Sequence, residues 1–268
     1  MNYQRVIITG ASSGFGAAFA RRLAPDVREL VLIARRRDRM ETLAHELAGK
    51  YGNLAVDIRA CDLSRPEERQ NMIDCLMRLS PARTLLINNA GLGDYGELAS
   101  SDTARNRQML EVNICALTEM CRALAPALAA HGGDIINISS LGALLPIPDF
   151  AIYAASKAYV SSFSEALRLE LKSSGVGVLA VCPGPVHTEF GAVARREGFT
   201  GNMTPGKDLF DTDVETVITA ALRGISRRKA CVYPSFKITC LSFLLRMMPL
   251  PVIRMVMGLR PRKISSDT

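Results

Sequence analysis

Residues 5–16 read Arg5-Val6-Ile7-Ile8-Thr9-Gly10-Ala11-Ser12-Ser13-Gly14-Phe15-Gly16. The apolar run Val6–Thr9 predicts a buried first strand, and Phe15–Leu23 predicts a helix directly after it. Glycines at such a junction let the backbone turn tightly and approach a ligand closely. The helix start then offers free N–H groups and a positive dipole end to a phosphate. Placed after a first strand and before a first helix, Gly10, Ser12, Ser13, Gly14, Phe15 and Gly16 form a candidate pyrophosphate cradle.

Outward from this turn, apolar runs alternate with helical patterns. Strands are predicted at Leu30–Ala34, Leu54–Ala60, Thr84–Asn88, Ile135–Ile138 and Val176–Val181, with a short one at Ala230–Tyr233. Helices are predicted at Arg39–Ala48, Pro66–Leu79, Thr103–Ala129, Phe150–Ser173 and Asp213–Ile225. Strands without strict polar alternation, separated by helices, indicate a parallel sheet covered on both faces. Right-handed crossovers make this an α/β, doubly wound parallel sheet, a Rossmann fold. No Pro/Gly/Ser-rich linker divides the chain, so residues 1–234 read as one domain and 235–268 as an apolar, basic C-terminal extension. Glu189–Asp211 breaks the rhythm with Gly191, Gly198, Gly201, Pro205 and Gly206. It reads either as a lid over a site or as a plain surface loop.

The charge is uneven. From Arg223 onward there are ten Lys/Arg against one acid, Asp267, while the remainder holds 23 bases and 25 acids. The body is therefore close to neutral, and the net +7 belongs to one segment, which argues against nucleic-acid binding. Seven scattered cysteines and three separated histidines form no CxxC or His-rich spacing. Neither a metal site nor a disulfide framework is indicated, and reduced thiols in a cytoplasmic setting are expected. The N-terminus enters a strand at once, with no secretory-signal pattern.

The second strand ends Ala34-Arg35-Arg36-Arg37. An acid here would hold the adenosine ribose hydroxyls. Ala34 cannot, whereas Arg35 and Arg36 can pair with a 2′-phosphate, so NADP(H) is expected over NAD(H). The alternative is a solvated helix start, although arginine there opposes the helix dipole. Asp62, followed by Leu63, can accept from an adenine amino group or can serve the next helix start, a task for which Ser64 competes. Asn89, Ala90 and Gly91 end the fourth strand with small residues, against which a flat ring or ribose can lie.

These pieces occur with Asn113, Ser139-Ser140, Tyr153-xxx-Lys157 and Pro183-Gly184. In that order, over roughly residues 3–190, the chain resembles the short-chain dehydrogenase/reductase family. Phe15 departs from the smaller aliphatic residue usual in the family, which should alter packing near the pyrophosphate more than chemistry. The resemblance implies that Tyr153 is the acid/base, Lys157 its partner, Ser140 the carbonyl anchor and Asn113 the fourth catalytic residue, at a helix kink. Tyr153 and Lys157 would also contact the nicotinamide ribose. Pro183, Gly184, Val186 and Thr188 would cup the nicotinamide. The physics agrees: residues four apart share a helix face, and a nearby ammonium and a cationic ring would draw a phenol down from ~10 toward working pH. Ser139, Ser156 and Tyr159 read as structural neighbours, and His187 as a weaker candidate for the substrate side.

The stretch Ala230–Leu259 is apolar and methionine-rich, and its uncharged runs fall short of the ~20 residues of a spanning helix. Three readings stand: a membrane-interface element with basic side chains toward anionic lipid, a cover or dimer contact over an apolar pocket, and ordinary packing. All favour a hydrophobic substrate. The expected activity is NADP(H)-dependent interconversion of a small-molecule ketone, 3-oxoacyl or lipid-like, and a secondary alcohol. The rivals are a non-catalytic NADP(H) sensor and a membrane-surface scaffold. The resemblance implies a homodimer or homotetramer, cytoplasmic or peripheral at the inner membrane surface.

Overall fold

The computed structural model describes residues 2–195 and 211–259. Most of the expected lid at 189–211 and the last nine residues of the extension therefore lie outside the described residues. Seven parallel strands form one sheet in the order β3-β2-β1-β4-β5-β6-β7. They are β1 Arg5–Thr9, β2 Glu29–Ala34, β3 Ala55–Ala60, β4 Thr84–Asn88, β5 Gly133–Ile138, β6 Gly177–Val181 and β7 Cys231–Val232. Ile7 of β1 pairs with Val31 on one side and Leu86 on the other. Because the order reverses beside β1, a crevice opens at the C-terminal ends of β1 and β4, where such sheets bind ligands.

The helices are α1 Gly14–Leu23, α2 Arg37–Lys50, α3 Pro66–Met77, α4 Thr103–Leu110, α5 Leu117–His131, α6 Ala151–Glu170, α7 Glu189–Ala194, α8 Val214–Ser226, α9 Phe236–Met247 and α10 Leu250–Gly258. One apolar core joins α1, α2 and α8 to a sheet face through Phe19, Met40 and Ile218. The other joins α3, α5 and α6 to the opposite face through Ile73, Met120 and Val160. Every residue of β1, β4, β5 and β6 is buried, which is why these strands read as unbroken apolar runs rather than alternating ones.

The predicted fourth helix, Thr103–Ala129, is interrupted. A π-helical turn spans Glu111–Ala116 between α4 and α5. Arg69 of α3 braces it: the guanidinium is buried and lies 3.0 Å from Glu111 and 2.6 Å from Glu119. The irregularity falls on Asn113, and π-turns of this kind commonly occur at functional sites.

Candidate active site

The glycine turn is built for close approach. Gly10 has φ +68°, and a Cβ there would stand 2.9 Å from Ala90 Cα, so the loop and the end of β4 pack backbone against backbone. Asn89 locks the contact by donating to the carbonyls of Thr9 and Gly10. Ser13 occupies the N-cap of α1, yet its side chain makes no capping bond. The Ser13 hydroxyl instead accepts from Arg36 at 2.8 Å, leaving the first N–H groups of α1 without a side-chain partner, as an anion site requires. Phe15 packs against the core of the α1 face while lining the same cavity.

That cavity measures about 990 Å³. It runs from the glycine loop past Arg35, Asp62 and Leu63, over Asn89-Ala90-Gly91, to Pro183, Gly184, Val186 and Thr188. The predicted cofactor residues other than Gly16 thus line one crevice. Gly16 lies behind it, where a Cβ would stand 2.3 Å from the Gly10 carbonyl oxygen. Asp62 accepts from the Ser64 N–H at 3.0 Å and the Ser64 hydroxyl at 2.7 Å. Burial works against its charge, but these bonds and the Arg35 guanidinium hold the carboxyl below its usual value. The carboxylate therefore shapes the turn into α3 while facing the cavity.

At the other end, Tyr153 lies in the first turn of α6 and Lys157 one turn later, both buried. Lys157 Nζ donates to the Ile138 carbonyl at 2.8 Å. Among the described residues that is its one hydrogen bond, so two of its three protons remain for another acceptor. Burial pushes this ammonium down to about 8. Ser140 Oγ accepts from the Gly142 N–H at 3.0 Å, and the Ser140 side chain favours ionisation of the Tyr153 phenol.

In the cofactor-free chain burial raises the Tyr153 phenol, and Ser140 offsets this only in part. Lys157 Nζ sits 5.7 Å from the centre of the Tyr153 ring. Within this chain alone, then, the phenol is held protonated.

Asn113 does not project into open space. Its amide donates to the Leu92 carbonyl at 2.9 Å and accepts from the Leu92 N–H at 2.8 Å. It also donates to Ser156 Oγ at 3.0 Å, and Ser156 donates on to the Tyr153 carbonyl. The π-turn thus ties the segment after β4 to the helix carrying Tyr153. Ser139, expected to be structural, donates to the Lys157 carbonyl at 2.8 Å. Tyr159 packs on Phe163 and bonds Thr118. His187 stands at the exposed rim, 2.8 Å from Asp211.

Several groups escape sequence reasoning. Tyr95 stacks on Phe150 at 3.8 Å between centroids, and Phe150 on Tyr153 at 4.1 Å, while Phe190 closes on Tyr153 at 5.4 Å. These rings form an aromatic wall around the phenol. Arg105 holds α7 over it through Asp94 at 3.0 Å and the Val193 carbonyl at 2.5 Å. Glu189, opening α7, reaches back across the cleft to Arg36 at 3.0 Å and Arg39 at 2.5 Å. Of these, only Glu189 carried a sequence signal, its place at the head of the predicted lid.

Comparison with known proteins agrees with this architecture. The family profile for short chain dehydrogenases matches residues 4–197. Sulfoacetaldehyde reductase 2 of Chromohalobacter salexigens is 37% identical over 188 residues, 69% of this chain and 73% of that protein. The structure of a short-chain dehydrogenase from Sphingobium yanoikuyae in complex with NADPH has a TM-score of 0.78 at 31% identity, covering 98% of both chains. A bulky-bulky ketone specific alcohol dehydrogenase from Comamonas testosteroni has a TM-score of 0.77 at 28% identity, covering 99% of this chain and 98% of that one. The chain belongs to the short-chain dehydrogenase family and is an oxidoreductase acting on CH–OH groups and the corresponding carbonyls.

Proposed function

We propose that the protein interconverts a bulky, hydrophobic ketone and its secondary alcohol with NADP(H), using Tyr153 as the proton donor and acceptor. The observation carrying this reading is the Ser140–Tyr153 hydroxyl pair set against an apolar wall, with the Lys157 ammonium buried behind it. The donor set suits the dinucleotide. The uncapped start of α1 takes the pyrophosphate, the spare protons of Lys157 take ribose hydroxyls, and Arg35 and Arg36 take a 2′-phosphate. Bound NADPH supplies the hydride.

The residues of the chain supply the rest. Ser140 donates to the carbonyl oxygen as negative charge develops there. Tyr153, kept protonated by burial, gives its proton to the same oxygen. Lys157 stabilises the phenolate that remains. Asn113 positions Leu92 and Ser156 and so the approach to the phenol. Tyr95, Phe150 and Phe190 exclude water and favour an extended apolar substituent, 3-oxoacyl or lipid-like, over a small ionic one. The similarity to an enzyme named for bulky ketones supports the same substrate class.

The test is NADPH oxidation across ketones of graded bulk, with NADH in parallel, for wild type and Tyr153→Phe. The expected result is a rise of kcat/KM with apolar bulk and a loss of about 10²- to 10⁴-fold in the variant with NADPH binding intact. Turnover that survives the substitution would remove Tyr153 from its role, and a preference for NADH would remove Arg35 and Arg36 from theirs.

A further inference from the structure

We propose that α9 and α10 dock on an anionic bilayer surface and present the mouth of the substrate cavity to it. In α9, Phe236, Cys240, Phe243 and Met247 recur every three or four residues and so share one side of the helix. That side faces solvent: Phe236 is 84% exposed, and Phe243 and Met247 are each 68% exposed. The opposite side, at Ile238 and Ser242, is buried against the body. In α10 the pattern repeats, with Ile253 buried and Val252 and Met255 exposed, and Leu259 just past its end is exposed too. Large apolar side chains left exposed along both helices in this way mark an interaction site.

Length and angle decide how the element meets lipid. The helices have 12 and 9 residues, about 18 and 14 Å at ~1.5 Å per residue, against a hydrocarbon core of about 30 Å. They bend by 113° relative to each other. Neither can cross a bilayer, and both can lie along its surface with the apolar side down.

Charge selects the partner. Between Glu215 and Asp267 the chain has ten Lys/Arg and no acid. Lys237, Arg246 and Arg254 stand exposed on α9 and α10. A second copy meeting this face would bring like charges together, whereas anionic headgroups complement them. The same helices also wall the cavity, through Leu241, Val256, Met257 and Leu259. A membrane-dissolved ketone would thus enter without crossing water. This link to the substrate rests on the function proposed above, while the docking itself rests on the surface alone.

The experiment is flotation of the full-length protein with vesicles of phosphatidylcholine alone and of phosphatidylcholine mixed with phosphatidylglycerol. Wild type should float with the mixed vesicles and release as salt rises. Lys237→Gln with Arg254→Gln should weaken this binding by roughly 25-fold, at about fivefold per cation. Phe236→Ser with Phe243→Ser should abolish it. Turnover of a water-soluble ketone and the thermal midpoint should stay at wild-type values in both variants. Equal flotation on the two vesicle types, or none on either, overturns the proposal. A dimer that dissolves with the phenylalanine substitutions, without flotation, overturns it too and gives the face to a second copy. An enzyme inactive on every ketone that still floats selectively refutes the proposed reaction and leaves the docking standing.

Discussion

Replacing Lys157 by methionine should end turnover and make the fold more stable. The ammonium is buried, and burial lowers it from 10.5 to about 8. That depression corresponds to about 3 kcal/mol of folding free energy, at roughly 1.4 kcal/mol per pH unit. Methionine has a similar reach and no charge to desolvate. Against the gain stands the Ile138 carbonyl, which loses its donor at 2.8 Å, at a cost of about 1 kcal/mol. The net at neutral pH is about 2 kcal/mol, or roughly 5 °C for a domain of this size. The pH dependence identifies the cause. Below about 8 the lysine is charged in both folded and unfolded chains, and the wild type carries the full cost. From about 8 to 10.5 the folded lysine gives up its proton while the unfolded one keeps it, so wild-type stability rises with pH. The gap between the two proteins should therefore narrow across that window. Chemical denaturation of both cofactor-free proteins at about pH 7 and about pH 9.5 measures it. A gap that does not change with pH, or a variant less stable at neutral pH, refutes the account of Lys157 as a buried, undercompensated charge.

Three further substitutions probe the remaining contacts. Asn113→Ala leaves both the N–H and the carbonyl of Leu92 without their partner in a partly buried setting and should cost about 1–3 kcal/mol, read as a fall in denaturation midpoint, with kcat reduced because the segment after β4 loosens. At the cleft, a 2′-phosphate must take Arg36 from Glu189, which lies 3.0 Å away on an exposed pair. Glu189→Gln should therefore tighten NADPH by up to about fivefold and leave NADH unchanged. Arg36→Ala should weaken NADPH by roughly 10- to 100-fold with the same indifference to NADH. Titration of the two nucleotides into each variant separates these outcomes.

The parts of this protein legible in its sequence are those fixed by local backbone demands. The turn at Gly10 needs a positive φ and a bare Cα, so glycine marks it directly. Strands buried on both faces write themselves as apolar runs, and their alternation with helices fixes the parallel order. The family resemblance assigns the carbonyl anchor to Ser140 rather than Ser139, and the structure turns Ser139 away to the Lys157 carbonyl. Asn113 inside an apolar helix signals an irregularity, which proves to be a π-turn. The aromatic wall leaves no such trace. Tyr95, Phe150 and Phe190 come from three separate connections, and only the closed fold stacks them. The tail resists for a different reason: α9 is apolar on two sides, so periodicity cannot say which side faces in.

The direction of the Tyr153 shift was also beyond sequence reasoning, and it bears on the chemistry. A Tyr-xxx-Lys pair on one helix face suggests an ammonium that lowers the phenol. In the cofactor-free chain depth opposes this, because desolvation acts on both groups at once. It raises the tyrosine and lowers the lysine, so each is pushed toward its neutral form. Left to the protein alone, Tyr153 is therefore a proton donor at rest, the state a carbonyl reduction requires. To act as a base toward an alcohol it needs added positive charge nearby, which an oxidised nicotinamide would bring and a reduced one would not. Under the proposed chemistry, the same phenol would then be set as acid or base by the charge of the bound cofactor, with no change in the protein's own residues. Lys157, buried 5.7 Å from the centre of the same ring, would favour the phenolate once the proton has left.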